Sequence, residues 1–154
     1  MEKIKALWVG KNKFPSLAEL EEDYSRKISL MVPFLLQTLK DPPRGLSEKR
    51  ATEWENQRIL EAIDDGDNVI ALDERGRTFD SLGFAHWLDG LLIAHRRTVF
   101  LVGGASGWTE PVKKRAQGLL SLSPLTLCHD LARVVFLEQL YRGLTIRGGL
   151  PYHR

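Results

Sequence analysis

Short runs of Val, Ile and Leu alternate along the chain with longer segments in which apolar residues recur every three or four positions. The short runs are typical of buried strands, and the longer pattern is typical of helices with one apolar face. Their alternation predicts an α/β fold with a mostly parallel sheet and helices on both faces. The predicted strands cover residues 4–9, 32–39, 68–72 and 98–102. We expect the last of these, the most hydrophobic, to lie centrally.

The helix predictions rest on apolar spacing and on capping residues. One helix is predicted to begin near Ser16, and a second is predicted to end near Asp64. A third follows the capping residue Ser81, a fourth starts at Thr109, and a fifth covers residues 130–144. Pro111 is tolerated in a first helical turn. Residues 41–50 predict a surface loop, and residues 73–76 a turn. On the last helix the residues expected to face inward are Leu131, Val134, Val135, Leu137 and Leu140.

The strand at 98–102 opens into a loop that contains Gly103, Gly104 and Gly107. In open parallel sheets, ligands bind beyond the carboxyl ends of the strands. Glycines there let main-chain groups approach a ligand closely, as a bound nucleoside requires. The G-G-x-x-G spacing matches neither a dinucleotide fingerprint nor a P-loop, so a plain structural turn remains the alternative.

The segment LSLSPLTLC alternates Leu with small hydroxyl residues and contains a proline just before the final helix. Pro124 lacks an N–H and interrupts a strand ladder, so the second half of residues 121–128 is interpreted as a loop with free main-chain groups. A partly buried edge strand and turn is the alternative. Leu72, at the end of its strand, belongs to the core unless its position makes it the apolar wall of a site.

The chain ends in Pro151, Tyr152, His153 and Arg154. The phenol of Tyr152 can donate a hydrogen bond, and the imidazole of His153 can exchange a proton near neutral pH. The guanidinium of Arg154 can bind phosphate. A disordered tail is the alternative. The remaining histidines are scattered without the spacing of metal ligands, so no metal site is predicted.

Composition narrows the class of protein. With 154 residues, 43% of them hydrophobic and 27% charged, the chain is predicted to fold as one domain over residues 1–154. It has no long apolar run and no signal-like N-terminus, so we expect a cytoplasmic protein without a membrane partner. Cys128 is the only cysteine, which excludes an internal disulfide.

The charge is unevenly distributed. From Pro111 onward seven Lys and Arg residues stand against two acidic ones, which gives +5, and the rest of the chain carries −3. A basic C-terminal part suggests an anionic partner such as RNA, with a solvated basic surface as the alternative. Candidate phosphate contacts are Lys113, Lys114, Arg142 and Arg147.

Several segments together resemble a known family. KIKALWVGK, ALDERG, LVGGASG, LSLSPLTLCH, ARVVFLEQLYRG and the terminal PYHR occur in this order over the whole chain. They resemble the ribosomal large subunit pseudouridine N3-methyltransferases of the SPOUT class. One departure is visible, since the family commonly has Pro where this chain has Cys128.

The resemblance implies a C-terminal trefoil knot, a homodimer and S-adenosylmethionine bound in the knot. It implies that the substrate is a stem-loop of 23S rRNA on the assembled ribosome. Leu72 and Gly104 would then contact the cofactor, and Gly103 and Gly107 would shape its loop. The adenosine loop would comprise Ser123, Pro124, Leu125, Thr126, Leu127 and Cys128.

The resemblance also gives the tail a catalytic role. His153 is the candidate base for the N3 proton, Tyr152 would position the nucleobase, and Arg154 would hold a phosphate or developing negative charge. We expect the tail of one subunit to complete the site of the other. Two alternatives remain open: a SPOUT methyltransferase with another RNA target, and a noncatalytic RNA-binding ribosome-assembly protein. A metabolic nucleotide-binding enzyme is disfavoured because no phosphate motif is present.

Overall fold

A computed structural model describes residues 2–154 as five strands and five helices in strict alternation. The elements are β1 (Ile4–Val9), α1 (Pro15–Ser29), β2 (Phe34–Leu39), α2 (Glu48–Glu61), β3 (Asn68–Arg77), α3 (Ser81–Ala94), β4 (Thr98–Leu101), α4 (Glu110–Arg115), β5 (Gly118–Leu120) and α5 (His129–Arg147). The strands form one sheet in the order β2-β1-β4-β3-β5, and every pair in it is parallel. The central position of β4 was predicted from its hydrophobicity and is confirmed.

The sheet is covered on both faces, as the sequence predicted. Successive side chains of a strand point to opposite faces. In β4, Phe100 therefore joins a cluster with residues of α1, α3 and α5, whereas Val99 and Leu101 join a cluster with Ile59 of α2 and Val112 of α4. The central strand β4 is therefore buried on both sides and lacks polar alternation.

Two predicted helix ends, near Asp64 and at residue 144, were each wrong by three residues, because α2 ends at Glu61 and α5 at Arg147. Two predicted starts were wrong by one or two residues. Residues 32–39 were expected to form the second strand, but β2 begins at Phe34. The Val32 N–H still bonds the Ile28 carbonyl at the end of α1, and Pro33 has no N–H to offer a ladder. The N-cap of α3 is Asp80, not Ser81, because the Asp80 carboxylate accepts the Gly83 N–H at 2.7 Å.

The turn predicted at residues 73–76 does not end its strand. β3 runs on to Arg77, with a break in register between Leu72 and Arg77 opposite β5. Residues 73–76, which were predicted to form a turn, form a bulge within β3, and pairing with β5 resumes beyond it. This pairing is long-range, so it was not visible in the local pattern.

The buried face of α5 differs from the predicted one. Leu131 is 39% exposed and Val135 only half-buried, whereas Arg133 and Phe136 are buried. The helix packs against both α1 and α3, so its buried face is rotated toward these two neighbours. The Phe136 ring meets the Phe100 ring, with centroids 5.0 Å apart. The predicted inward residues that are buried are Val134, Leu137 and Leu140.

Among the described residues, no helix is at once long enough and apolar enough to cross a membrane.

Main-chain atoms of β3 and β5 approach most closely at Gly76. A Cβ on Gly76 would lie 2.6 Å from the carbonyl carbon of Leu119 and 2.7 Å from the Leu120 nitrogen. Any other residue would therefore push two backbones apart. The contact fixes how β5 and the loop after it lie against the bulge of β3.

We predict that Gly76→Ala lowers the free energy of unfolding by about 1–3 kcal/mol, because the new methyl group meets rigid backbone. Gly90→Ala is the matched control. A Cβ on Gly90 has open space within α3, and Ala there should raise stability by about 0.5–1 kcal/mol. Urea unfolding of both variants measures the difference. Equal stability of the two would contradict this account of the close approach.

Candidate functional site

A cleft of about 490 Å³ lies at the carboxyl ends of β3, β4 and β5. We call it the loop cleft, because its walls are the bulge of β3, the glycine loop after β4 and the loop between β5 and α5. Apart from Pro124, the predicted cofactor residues all line it: Leu72, Gly103, Gly104, Gly107, Ser123, Leu125, Thr126, Leu127 and Cys128. The structure thus brings together two loops that are far apart in the sequence.

Trp108 holds the glycine loop in place. Its indole N–H donates to the Leu72 carbonyl at 2.8 Å. Its ring lies so close to Gly103 that a Cβ on Gly103 would be only 2.9 Å from the ring. Gly107 has φ +73° and donates to the Gly104 carbonyl at 3.2 Å, which closes a tight turn. Sequence reasoning missed Trp108, although a tryptophan directly after a glycine loop was a visible signal.

The loop between β5 and α5 has no regular secondary structure over residues 121–128. The Ser121 N–H donates to the Arg77 carbonyl at 2.9 Å, and the Thr126 hydroxyl donates to Glu74 Oε2 at 2.6 Å. These contacts tie the loop to the β3 bulge and to Arg77 beyond it. Leu125 is 76% exposed over the cleft. The loop predicted for the second half of this run is confirmed, the irregular segment already begins at Ser121, and of LSLSPLTLC only Leu120 belongs to β5.

Helix α2 braces the other side of the glycine loop. Asn56 Oδ1 accepts the Thr109 N–H at 3.0 Å, at the start of α4, and the Ser106 hydroxyl donates to Glu48 Oε1 at 3.0 Å. Between these two anchors, Glu55 directs Oε2 to within 3.5 Å of the place a Cβ on Gly104 would occupy. The polar pattern of α2 gave no hint of these contacts, because they are made across long sequence separations.

A second pocket, of about 340 Å³, lies beside the loop cleft at the carboxyl ends of β1 and β2. We call it the α2 pocket. It shares Gly104, Ala105, Ser106, Val102, Trp108 and His129 with the loop cleft, so one loop separates the two cavities. Its wall carries charges of both signs, on Lys11, Lys13, Asp41, Glu48, Glu55 and Arg133. Burial raises the pKa of the Glu55 carboxyl, and Asp41 raises it further.

Arg133 of α5 closes the floor of the α2 pocket. Its guanidinium donates to the Val9 carbonyl at 2.7 Å and to the Gly10 carbonyl at 2.9 Å, and it lies over the Trp8 ring. Burial lowers the pKa of Arg133, while nearby carboxylates including Glu21 oppose that shift. The main-chain carbonyls at the end of β1 are thereby satisfied.

The C-terminal tail lies away from the loop cleft of its own chain. Tyr152 donates to Glu138 Oε1 of α5 at 3.0 Å, and its ring packs edge-on against Tyr141. Burial, together with hydrogen bonds to Tyr24 and Glu138, raises the pKa of Tyr152, so the phenol stays protonated at neutral pH. Arg154 is exposed. In residues 2–154, none of these tail side chains belongs to the wall of the loop cleft.

His153 is held by Arg142, whose NH1 lies 3.0 Å from His153 Nδ1. A guanidinium can only donate, so Nδ1 is the acceptor and the neutral ring keeps its proton on Nε2. In this position the imidazole has no lone pair free to take another proton. Arg142 also pairs with Glu138 at 2.6 Å, and Arg147 with Asp89, so two of the candidate phosphate contacts are engaged within the chain.

Over residues 2–154 no group of three or more His, Cys, Asp and Glu side chains is arranged to hold a metal ion.

The chain matches a family model described as predicted SPOUT methyltransferase over residues 2–153. It is similar to the ribosomal RNA large subunit methyltransferase H of Flavobacterium johnsoniae, with 40% identity over 97% of this chain and 98% of that protein. It is equally similar to the protein of the same name from Syntrophotalea carbinolica, with 40% identity over 98% of each chain.

The fold also has a counterpart among solved structures. A probable methylase family protein from Haemophilus influenzae superposes with a TM-score of 0.57 and 14% identity, over 99% of this chain and 71% of that one. At this identity the likeness concerns the fold alone. The family match and the full-length relatives decide the assignment: the chain belongs to the SPOUT methyltransferase family.

Proposed function

We propose that this SPOUT methyltransferase uses S-adenosylmethionine to methylate N3 of a pseudouridine in a stem-loop of 23S rRNA, on the assembled ribosome in the cytoplasm. The observation that carries the proposal is the convergence of the glycine loop and the 121–128 loop in one cleft at the carboxyl edge of the sheet. The names of the full-length relatives, which are methyltransferases of large-subunit ribosomal RNA, support the choice of substrate.

The loop cleft fits an adenosyl methyl donor. Its volume of about 490 Å³ falls within the range of about 300–1,000 Å³ that is usual for small-ligand sites. Leu72, Leu125 and Leu127 supply apolar wall, and residues 121–128 leave main-chain groups outside any ladder. Such a site suits a nucleoside that is gripped by backbone hydrogen bonds. When bound, S-adenosylmethionine supplies an electrophilic methyl group on a positively charged sulfur.

The trefoil knot of the SPOUT class is part of the proposal. Two features support it: β5 pairs with residues 70–72 of β3 and, across the bulge, with Arg77, and the chain then passes alongside that bulge before it enters α5. The close contact at Gly76 holds β5 against the end of β3.

Methyl transfer from a sulfonium neutralises charge, so the protein contributes placement and exclusion of water more than stabilisation of an anion. The N3 proton of the base must leave before or during attack. His153 is the proposed base, which requires that it separates from Arg142 so that Nδ1 becomes free. Tyr152, which stays protonated, acts as a hydrogen-bond donor that positions the base, and Arg154 binds phosphate.

A homodimer brings the tail and the cleft together. The tail packs on α1 and α5 of its own chain, outside its own loop cleft. Phe14, Leu20 and Leu131 are exposed on or beside the same two helices, at 53%, 41% and 39%. Apolar exposure of this kind is typical of a surface that another chain covers. In the proposed dimer, this surface places the tail of one subunit at the loop cleft of its partner.

The function predicts the loss of one modified nucleotide. Mass spectrometry of 23S rRNA from cells that lack this protein should show one unmethylated pseudouridine in place of its N3-methyl form, and expression of the wild-type chain should restore it. If the rRNA of these cells keeps every N3-methylpseudouridine, the proposed substrate is wrong.

The cleft predicts how the cofactor is held. Leu125→Ser should raise the Kd for S-adenosylmethionine by about tenfold, because part of an apolar wall over the ligand is lost. Leu82→Ser is the matched control, since Leu82 is 61% exposed on α3 outside the cleft and should leave the Kd unchanged. Isothermal titration measures both. An equal Kd for the two variants would contradict the assigned site.

The composite site predicts complementation between inactive variants. Cys128→Trp fills the cleft, and His153→Ala removes the proposed base at a cost of about 10²- to 10⁴-fold in rate. Random exchange of subunits in an equal mixture should restore about a quarter of the wild-type sites, because each mixed dimer keeps one intact cleft with one intact tail. Methyl transfer to ribosomes is the measurement. An equal mixture as inactive as its parts would contradict the shared site.

A further inference from the structure

Of the residues proposed to hold the donor, only Gly104 lines the α2 pocket, which opens directly beside the loop cleft. The two cavities meet at the glycine loop, where Gly104 belongs to both walls. Its volume of about 340 Å³ lies at the lower end of the range of about 300–1,000 Å³ for small-ligand pockets. A group that enters the α2 pocket therefore stands next to whatever the loop cleft holds.

Glu55 lies on the face of α2 that lines this pocket. Asn56 and Glu48 of the same helix are bonded to the backbone of Thr109 and to the Ser106 hydroxyl, so α2 is anchored on both sides of Glu55. In residues 2–154 the Glu55 carboxylate itself makes no hydrogen bond. It is half-buried, and burial raises its pKa. A partly desolvated carboxylate in a pocket gains from a ligand that donates an N–H or O–H.

The rest of the pocket suits a nucleotide. Lys11 and Lys13 are exposed at its rim, where they can meet backbone phosphates. Arg133 fills the floor but is already committed to two main-chain carbonyls. A planar base that enters past the lysines therefore reaches the Glu55 carboxylate, which is less exposed than Asp41 of the same pocket, with the glycine loop beside it.

Pseudouridine differs from uridine at the position that such an acceptor can read. Its ring carries two N–H groups, at N1 and N3, and uridine has a C5–H where pseudouridine has N1–H. The N3–H is lost in the proposed reaction, so a contact that persists through methyl transfer must use N1–H. Facing uridine, the same carboxylate would stay buried without a partner, which is the kind of mismatch that gives strong discrimination.

We propose that the α2 pocket receives the target nucleobase, and that Glu55 accepts a hydrogen bond from the N1–H of pseudouridine and so selects it over uridine. Glu55 is in this view a specificity residue that does not take part in proton transfer from N3. The inference rests on the proposed function and adds to it the residue that reads the base.

The test compares two substrates across three variants. Ribosomes from cells lacking this protein present pseudouridine at the target, and ribosomes that also lack the pseudouridine synthase for that nucleotide present uridine. Single-turnover methyl transfer is measured on both. The affinity of the protein, saturated with S-adenosylhomocysteine, for each kind of ribosome is measured as well. This gives a readout even where transfer to uridine is too slow to follow.

The wild-type protein should prefer pseudouridine by about 10- to 100-fold in rate or affinity, as expected for one hydrogen bond to a charged group. Glu55→Leu should lose activity on pseudouridine ribosomes by a similar factor and bind both substrates alike. Glu55→Gln keeps an acceptor oxygen and should retain part of the preference. Glu53→Gln, an exposed change on the same helix, should behave as wild type.

Titration of S-adenosylmethionine should give the same Kd for all variants, which separates a change in base reading from damage to the loop cleft. Undiminished preference for pseudouridine in Glu55→Leu would overturn the inference, and so would a wild type that shows equal rates and equal affinities on both kinds of ribosome. A wild-type protein that transfers no methyl group to pseudouridine ribosomes would instead contradict the proposed function itself.

Discussion

The contact between two main chains at Gly76 is the constraint on which the loop cleft depends. At this point the Cβ of any other residue would collide with the backbone of Leu119 and Leu120. The contact holds β5 against both sides of the β3 bulge, since Leu120 pairs with Leu72 and with Arg77, and the Ser121 N–H then bonds the Arg77 carbonyl. Because β5 is held there, the loop that follows must return past the bulge toward Leu72 and the glycine loop. A cleft formed by two distant loops thus follows from one close approach.

The open ends of parallel strands leave carbonyl groups without ladder partners, and buried side chains satisfy them here. Trp108 donates to the Leu72 carbonyl, and Arg133 donates to the carbonyls of Val9 and Gly10. These donors fix the edges of the loop cleft and of the α2 pocket. Since methyl transfer gains mostly from placement, rigid walls are what the proposed chemistry requires of the protein.

The C-terminal tail carries the proposed base. His153 accepts from Arg142, and Tyr152 donates to Glu138, on a surface outside the loop cleft. While Arg142 occupies Nδ1, the imidazole cannot serve as a base. The proposed dimer joins these observations, because the tail gains a reacting partner only when it reaches the cleft of another subunit.

The sequence alone determined the features that depend on local chemistry. The strand at Ile4–Val9, the helix start at Thr109 and the irregular loop around Pro124 follow from apolar runs, capping preferences and the missing proline N–H. Whole-chain resemblance supplied the family, which the family match and the relatives confirm. The residues predicted to hold the cofactor stay a prediction, although nearly all of them line one cleft.

Only the tertiary structure decided what depends on neighbours distant in the chain. The turn signal at residues 73–76 became a bulge because β5 pairs with β3, and Arg133 is buried because its guanidinium reaches the carbonyls that end β1. Glu55 looks like any surface residue of a polar helix, yet anchors on both sides hold it against Gly104. Such contacts join segments about 30 to 120 residues apart, so no local pattern encodes them.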